Sequence, residues 1–150
     1  MPPTVELRPV TPDNWRACAL LEVGAHQRDF VMPVAYSLCL CTYGDLWSPL
    51  AACDGDDVVG FLMSAIDPAD QSCWIGGFTV DHRRQRRGYG RAMIEALVRR
   101  QLEQELCTSF ALSYTADNSA ARELYRALGF VETGEHEDDE TVARFTPEVG

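Results

Sequence analysis

The chain has 150 residues and a formal net charge of -10, and all thirteen of its basic residues are arginines. This length fits one domain with a substantial core. The absence of lysine excludes phosphate-loop, kinase and Schiff-base lysine chemistry. Nucleic acid and anionic membranes bind proteins through clustered cations, so the acidic balance argues against both as partners. A small cationic substrate suits this charge better.

The sequence carries no sign of secretion or metal binding. Its first residues alternate between charged and apolar types, so we expect no signal peptide, and no apolar run approaches the roughly 18 residues that span a bilayer. The six cysteines lie mostly in apolar stretches without C-x-x-C spacing, and the three histidines are scattered. We therefore expect a cytoplasmic protein with reduced cysteines and no metal site, and a disulfide framework is the alternative.

The first half of the chain predicts a short strand, two helices and an antiparallel meander. Period-two alternation indicates the strands, and Asp54-Gly55-Asp56-Asp57 is a strong hairpin turn between two of them. The predicted elements are a strand at residues 5–10, helices at 15–23 and 34–43, and strands at 50–53, 58–65 and 73–80.

In the second half the apolar period becomes helical. A long amphipathic helix is predicted from Gly88 onward, and its apolar stripe holds Ile94, Leu97, Val98, Leu102 and Leu106. The later elements are a strand at 109–114, a helix capped by Asn118 or Ser119 and ended by Gly129, and strands at 130–133 and 141–145 around an acidic loop at 135–140. The fold class is therefore α+β: one domain over residues 1–150, with a mixed, mostly antiparallel sheet flanked by helices.

The most informative segment lies between residues 81 and 91. It holds five arginines and one aspartate, so its local charge is +4 while the rest of the chain carries -14. It joins a strand to the start of a helix, where unpaired backbone N–H groups and the positive end of the dipole favour phosphate. Gly88 and Gly90 permit close approach of the backbone. A solvated basic turn is the alternative, and a dinucleotide fingerprint fits poorly because its third glycine is missing.

Two motifs resemble the GNAT superfamily of N-acetyltransferases. Residues 85–90, Gln-Arg-Arg-Gly-Tyr-Gly, match the pattern (Gln/Arg)-x-x-Gly-x-(Gly/Ala) at the same strand-to-helix junction. Residues 118–130 resemble the superfamily's pattern Asn-x-x-Ala-x-x-Leu-Tyr-x-x-x-Gly-Phe. The order of predicted elements also agrees over nearly the whole chain. The resemblance implies the GNAT acyl-CoA N-acyltransferase fold and acetyl transfer from acetyl-CoA.

The resemblance also implies where acetyl-CoA binds. Its site is expected in a cleft where two adjacent parallel strands, at residues 73–80 and 109–114, diverge. Backbone amides near Phe78, Thr79 and Val80 are expected to hold the pantetheine and the acetyl carbonyl. The turn is expected to hold the pyrophosphate through Gln85, Arg86, Arg87, Gly88, Tyr89, Gly90 and Arg91. Asn118 is expected to orient the cofactor or the cleft, although its simpler role is to cap a helix.

Acetyl transfer to an amine needs a donor for the carbonyl oxygen, a proton for the departing thiolate and a neutral amine. Backbone N–H groups can supply the first. The resemblance implies that Tyr125 supplies the proton for the thiolate, because it occupies the Tyr position of the second motif and a phenol can protonate a thiolate. Without the motif, Tyr125 would be read as a core residue on the same stripe as Leu124 and Leu128.

The general base is less clearly marked. Many relatives place a carboxylate on the central strand, where this chain has Gly76 and Gly77. His26 and Glu22, in the half that lines the acceptor side in relatives, are the first candidates, ahead of Asp29 and Asp45. Each could equally be a solvated residue, and a chain of waters could serve instead. The acidic run at residues 135–140 is expected to be solvated and could help to attract a cation.

Within the superfamily, the chain most resembles bacterial spermine/spermidine N-acetyltransferases. The shared features include Leu7-Arg8-Pro9-Val10-Thr11 and Trp74-Ile75, but those enzymes tend to carry Asp-Arg where this chain has the two glycines. The expected acceptor is a small-molecule amine, first a polyamine. The alternatives are another amine (a protein N-terminus, an amino acid or an aminoglycoside) or a catalytically silent acyl-CoA sensor. Relatives commonly form homodimers.

Overall fold

The computed structural model describes residues 3–25 and 32–148. The strands are β1 (Glu6–Pro9), β2 (Ser48–Asp54), β3 (Asp57–Ile66), β4 (Ser72–Val80), β5 (Ser109–Tyr114), β6 (Val131–Glu137) and β7 (Glu140–Phe145). The α-helices are α1 (Trp15–Ala19), α2 (Val34–Tyr43), α3 (Tyr89–Glu103) and α4 (Ser119–Ala127), and a 3-10 turn spans His82–Arg84.

All seven strands belong to one sheet in the order β1-β2-β3-β4-β5-β7-β6. Strands β2, β3 and β4 form the predicted meander, and Gly55 turns the first hairpin with a φ of 63°. Strands β4 and β5 pair in parallel, whereas the other neighbouring pairs are antiparallel. The predicted fold class, α+β with a mixed and mostly antiparallel sheet, is confirmed.

The sheet separates two hydrophobic cores. Successive side chains on a strand point to opposite faces, so Leu62 packs with α3 and α4 while its neighbour Phe61 packs with α1 and α2. Tyr125 belongs to the core of the α3/α4 face, and Met63 belongs to that of the α1/α2 face. The α3/α4 core is the larger of the two.

Two predicted helices are too long. Helix α1 ends at Ala19. The Leu21 N–H donates to the Cys18 oxygen three residues earlier, so the last turn closes as a 3-10 turn and the α-helix does not continue. Helix α3 ends at Glu103, where Glu105 has a φ of 54° and Leu106 donates back to the Gln101 oxygen. Leu106 was expected on the buried stripe, but this Schellman-type end leaves it 46% exposed.

The acidic stretch at residues 135–140 is not a loop. Strand β6 continues to Glu137 and β7 begins at Glu140, and only the two aspartates between them form the turn. Strand β6 is exposed along its whole length, and two of its carboxylates bind arginines: Glu135 binds Arg144 at 2.7 Å, and Glu132 binds Arg122 at 2.8 Å. A strand at the sheet edge can carry this much charge because water surrounds it.

Candidate active site

The parallel strands β4 and β5 open a gap in the middle of the sheet. They pair only from Ser72 to Trp74 on β4 and from Ser109 to Ala111 on β5. Strand β4 continues to Val80 and β5 to Tyr114 without further pairing between them. The backbone groups of β4 that face this gap therefore have no strand partner, and they are free to bind an extended ligand.

A bulge in β4 adjoins the gap. Between the pairs Met63↔Gly76 and Phe61↔Thr79, strand β3 contributes one residue and β4 contributes two. Gly77 carries the bend with a φ of 59°, a conformation that favours glycine. The Thr79 hydroxyl donates to the Gly77 oxygen at 3.0 Å and fixes the bulge. The N–H groups of this segment are thereby turned out of the regular ladder.

The turn that leads into α3 offers a row of unpaired donors. In the described structure, the backbone N–H groups of residues 86 to 91 donate to no backbone oxygen, and the first bond of the helix runs from Ala92 to the Gly88 oxygen. Arg86 and Gly88 have φ angles of 64° and 88°, so the donors curve around one point instead of alternating in direction. Successive N–H groups in such a nest, at the start of a fifteen-residue helix, form an anion site.

Charged and polar partners fix the flanks of this turn. Tyr89 anchors α3 to β2 by donating to the Asp54 carboxylate at 2.5 Å, a bond that raises the pKa of its phenol. Asp81 is 2% exposed and binds the Arg83 guanidinium at 2.8 Å. Burial alone would raise the pKa of Asp81, but the hydrogen bonds from Arg83 lower it below its usual range. Rigid flanks hold the N–H groups in place before any ligand arrives.

Tyr125 lies on α4 inside an aromatic cluster. Its ring centroid is 5.6 Å from that of Tyr114, 5.9 Å from that of Phe130 and 6.1 Å from that of Phe78. Its hydroxyl makes no hydrogen bond to the described residues, whereas the Tyr114 hydroxyl donates to Glu132 at 2.8 Å. Burial raises the pKa of Tyr125 well above that of a free phenol, and the nearby Tyr114 and Glu140 add to the effect. The phenol therefore keeps its proton at neutral pH and has no fixed acceptor for it.

Asn118 confirms the predicted start of α4. Its side chain accepts a hydrogen bond from the Ala121 N–H at 3.2 Å, as expected of an N-cap residue. Gly129 follows the helix with a φ of 101°, and the Phe130 N–H returns to the Tyr125 oxygen at 3.0 Å. The two ends of this short helix are thus both closed, which fixes the position of Tyr125.

These parts meet in one cleft of about 1050 Å³. The structure brings together most of the sequence-predicted residues along its wall: Phe78, Thr79, Val80, Gln85, Arg86, Gly88, Tyr89, Gly90, Arg91, Asn118 and Tyr125. Arg87 does not line it. Glu22 is exposed and also lies outside the lining, and its backbone oxygen accepts the His82 N–H at 2.6 Å. His26 falls outside the described residues, so its role and that of Glu22 stay predictions.

The carboxylates that line the cleft were not predicted as site residues. Four carboxylates of described residues line it: Asp67, Glu137, Asp138 and Glu140. Three of them belong to the acidic run that was expected to be solvated, and their arrival at the cleft depends on the pairing of β7 with β5. Trp47 also lines the cleft and packs against Gly76. Arginines and carboxylates therefore line the same cleft.

The residues present fit acetyl-CoA. The unpaired N–H groups of residues 86 to 91 suit a pyrophosphate, and the open edge of β4 suits the amide-bearing pantetheine arm. Gly90 lies against Phe78, and a Cβ placed on it would come within 3.3 Å of the Phe78 ring. A side chain at this position would require the Phe78 ring to shift by a few tenths of an ångström. Among the described residues, no cluster of side chains is suited to a metal ion, and no helix is long and apolar enough to cross a membrane.

The sequence is similar to known acetyltransferases. The sequence model of the acetyltransferase (GNAT) family matches residues 10–130. The spermine/spermidine N(1)-acetyltransferase of Bacillus subtilis (strain 168) is 29% identical over 143 residues, which cover 88% of this chain and 91% of that protein. A probable spermine N(1)-acetyltransferase of Bacillus subtilis subsp. natto is 28% identical over the same shares of the two chains.

Solved structures share the fold. The GNAT domain of S. lividans PAT has a TM-score of 0.76 at 18% identity, covering 95% of this chain and 90% of that chain. The ribosomal L7/L12 alpha-N-protein acetyltransferase RimL, in complex with coenzyme A, has a TM-score of 0.74 at 18% identity, covering 95% and 94%. At these identities the likeness is one of architecture.

Proposed function

The chain belongs to the acetyltransferase (GNAT) family and is an acetyl-CoA-dependent N-acetyltransferase, and we propose that its acceptor is a primary amine of a polyamine such as spermidine or spermine. The observation that carries the proposal is the set of four carboxylates that line the same cleft as the unpaired N–H groups of the turn. The N–H groups suit an anionic cofactor. The carboxylates suit a polycation.

The cofactor lies along the turn and the free edge of β4 in this proposal. In this proposal the N–H groups of residues 86 to 91 bind the pyrophosphate, and Gln85 supports the turn by donating to the Val80 oxygen at 3.2 Å. The free edge of β4 near Phe78, Thr79 and Val80 holds the pantetheine and the acetyl carbonyl. Bound acetyl-CoA supplies an activated thioester. Backbone N–H groups of the β4 bulge are suited to stabilise the charge that develops on its carbonyl oxygen.

Tyr125 is the general acid in this proposal. Its phenol is protonated at neutral pH, and burial in the aromatic cluster holds it in one place. Its hydroxyl is uncommitted within the described structure, so a departing thiolate can accept its proton. Tyr114 cannot take this role in the same way, because its hydroxyl already donates to Glu132.

The named relatives support the choice of acceptor. The match covers 91% of the length of each relative, and both proteins are named for acetylation of spermine. The six cysteines of this chain are all unpaired, which accords with the cytoplasmic location that we propose.

The test is thiol release from acetyl-CoA across a panel of amines. Spermidine, spermine and putrescine are compared with butylamine, which keeps the alkyl chain of putrescine but lacks its second charge. Peptides with free N-termini, amino acids and aminoglycosides complete the panel. We expect the highest kcat/KM for the polyamines, and that value should fall as salt screens the carboxylates of the cleft. Turnover of neutral or anionic amines in preference to polyamines would refute the proposal.

A further inference from the structure

Glu140, the first residue of β7, lines the cleft in a fixed position. The Ser113 hydroxyl of β5 donates to its carboxylate at 2.7 Å. The residue is half-buried, whereas Glu137 and Asp138 of the same hairpin are exposed. Asp67 also lines the cleft, but its carboxylate already accepts the Ala69 N–H of its own turn at 2.9 Å. Glu140 is therefore the cleft carboxylate that two strands hold in place.

The alternation of β5 places Glu140 and Tyr125 on opposite faces of the sheet. Tyr114 packs with Tyr125 on the α3/α4 face. The neighbouring Ser113 therefore points to the α1/α2 face, and so does Glu140, which it binds. The gap between β4 and β5 lies between these faces. The two groups are still close enough for the charge of Glu140 to add to the effect of burial in raising the pKa of Tyr125.

This arrangement meets a chemical need that the proposed function leaves open. An aliphatic amine with a pKa near 10 is an ammonium ion at neutral pH, and it must lose a proton before its lone pair can attack. Strand β4 offers no carboxylate at the bulge, because residues 76 and 77 are glycines. A base on the α1/α2 face would act on the incoming amine, while Tyr125 acts on the departing thiolate from the other side of the gap.

We propose that Glu140 is the general base that deprotonates the acceptor amine. The proposal rests on the proposed function of the cleft. The ammonium group gives one proton to the Glu140 carboxylate, and the freed lone pair forms the C–N bond as the C–S bond breaks. Tyr125 gives its proton to the thiolate sulfur and regains one from the nitrogen that has become an amide. Glu140 then returns its proton to water, so one proton is released in each turnover.

The experiment compares two kinds of acceptor with Glu140→Gln. The glutamine keeps an oxygen that accepts from Ser113, but it cannot take a proton. One acceptor is a strongly basic aliphatic diamine such as putrescine. The other is a weakly basic amine that is already neutral at pH 7, such as trifluoroethylamine. We expect kcat/KM with putrescine to fall by about 10² to 10⁴, the usual contribution of general base catalysis, and we expect kcat/KM with the neutral amine to change less than threefold.

Three controls separate the base from a general effect of charge or folding. Asp139→Asn removes one negative charge from the adjacent turn residue, which does not line the cleft, so its kcat/KM with putrescine should stay near that of the wild type. Acetyl-CoA affinity by calorimetry and the thermal unfolding midpoint should be unchanged in Glu140→Gln. Glu140→Asp keeps a base that is one methylene shorter and should recover part of the lost rate.

Three results would overturn the proposal. Near wild-type turnover of putrescine by Glu140→Gln would show that Glu140 takes no proton. An equal loss with basic and neutral amines would show a binding or structural role instead. An equal loss in Asp139→Asn would assign the effect to the field of the hairpin. If the wild-type protein acetylates no amine at all, the proposed function fails, and this proposal fails with it.

Discussion

Removing the Tyr125 hydroxyl tests the acid and separates catalysis from packing. In Tyr125→Phe the ring remains, so its contacts with Phe78, Tyr114 and Phe130 are kept. The lost oxygen forms no hydrogen bond with the described residues. The free energy of unfolding should therefore change by less than about 1 kcal/mol, because no bonded partner is left unsatisfied. The fold and the cofactor site should both survive.

The expected loss of rate is much larger than the change in stability. General acid catalysis contributes about 10² to 10⁴ in rate, and each factor of ten is about 1.4 kcal/mol of transition-state stabilisation. The variant should thus lose roughly 3 to 5.5 kcal/mol in the barrier, seen as lower kcat with acetyl-CoA affinity unchanged. Thiol release at saturating substrates measures the first quantity, and calorimetry measures the second.

Tyr114→Phe is the matched control. It removes the same atom from the neighbouring ring of the cluster, but here the hydroxyl donates to Glu132. Stability should fall by about 1 kcal/mol, or roughly 2 to 4 °C in the unfolding midpoint for a chain of this size, while kcat stays within a few-fold of the wild type. Near wild-type kcat in Tyr125→Phe, or equal losses in the two variants, would remove Tyr125 from the mechanism.

Substitutions at three further positions test the cleft and the elements around it. Gly90→Asp places a negative charge beside the anion site and should weaken acetyl-CoA binding at least tenfold by calorimetry. Gly90→Ala adds only the Cβ that meets Phe78 at 3.3 Å and should weaken binding less. Equal losses of affinity in the two variants would argue against the charge effect. Asp81→Asn should flatten the acid side of the stability curve. Because the pKa of Asp81 is lowered in the folded state, its charge stabilises the fold above the unfolded pKa near 3.9, and this stabilisation is lost as pH falls through the folded pKa. The unfolding midpoint should therefore fall more in the wild type than in Asp81→Asn between pH 6 and pH 3, and equal falls would contradict the role of Arg83. Asn118→Ala removes the cap of α4 and should lower the free energy of unfolding by about 1 kcal/mol in denaturant titration; no change would mean that Asn118 does not stabilise the helix.

Local signals made much of the fold predictable. Asn118 and Gly129 lie next to the two ends of α4 and act locally, so the sequence alone located both ends of this helix. Leu106 follows the apolar period of α3, yet it lies past a left-handed turn at Glu105 that periodicity does not register. The prediction of an acidic loop in the final hairpin was wrong, because Glu137 and its charged neighbours suit an exposed edge strand as well as a loop.

The cofactor end of the cleft was predictable because its parts are contiguous. The turn at residues 85–91 holds its glycines, arginines and helix start in one short segment, so one motif specified the site. The carboxylates that line the cleft come from no such segment. Glu140 reaches the cleft only through the pairing of β7 with β5 and the hydroxyl of Ser113, which lies 27 positions earlier in the chain. No local pattern encodes that contact, and the residue was placed in a solvated run.

The geometry of β4 explains why a carboxylate would have to come from another strand. A Cβ on Gly77 would lie 2.9 Å from the Ser37 hydroxyl oxygen, at a φ of 59° that strains any side chain. A Cβ on Gly76 would lie 3.0 Å from Trp47, so an aspartate there would displace the indole that lines the cleft. The space that a side chain on β4 would fill is thus taken by α2 and Trp47. A carboxylate base for this cleft therefore has to come from an element other than these two positions of β4, and Glu140, the first residue of β7, is held beside β5 by Ser113.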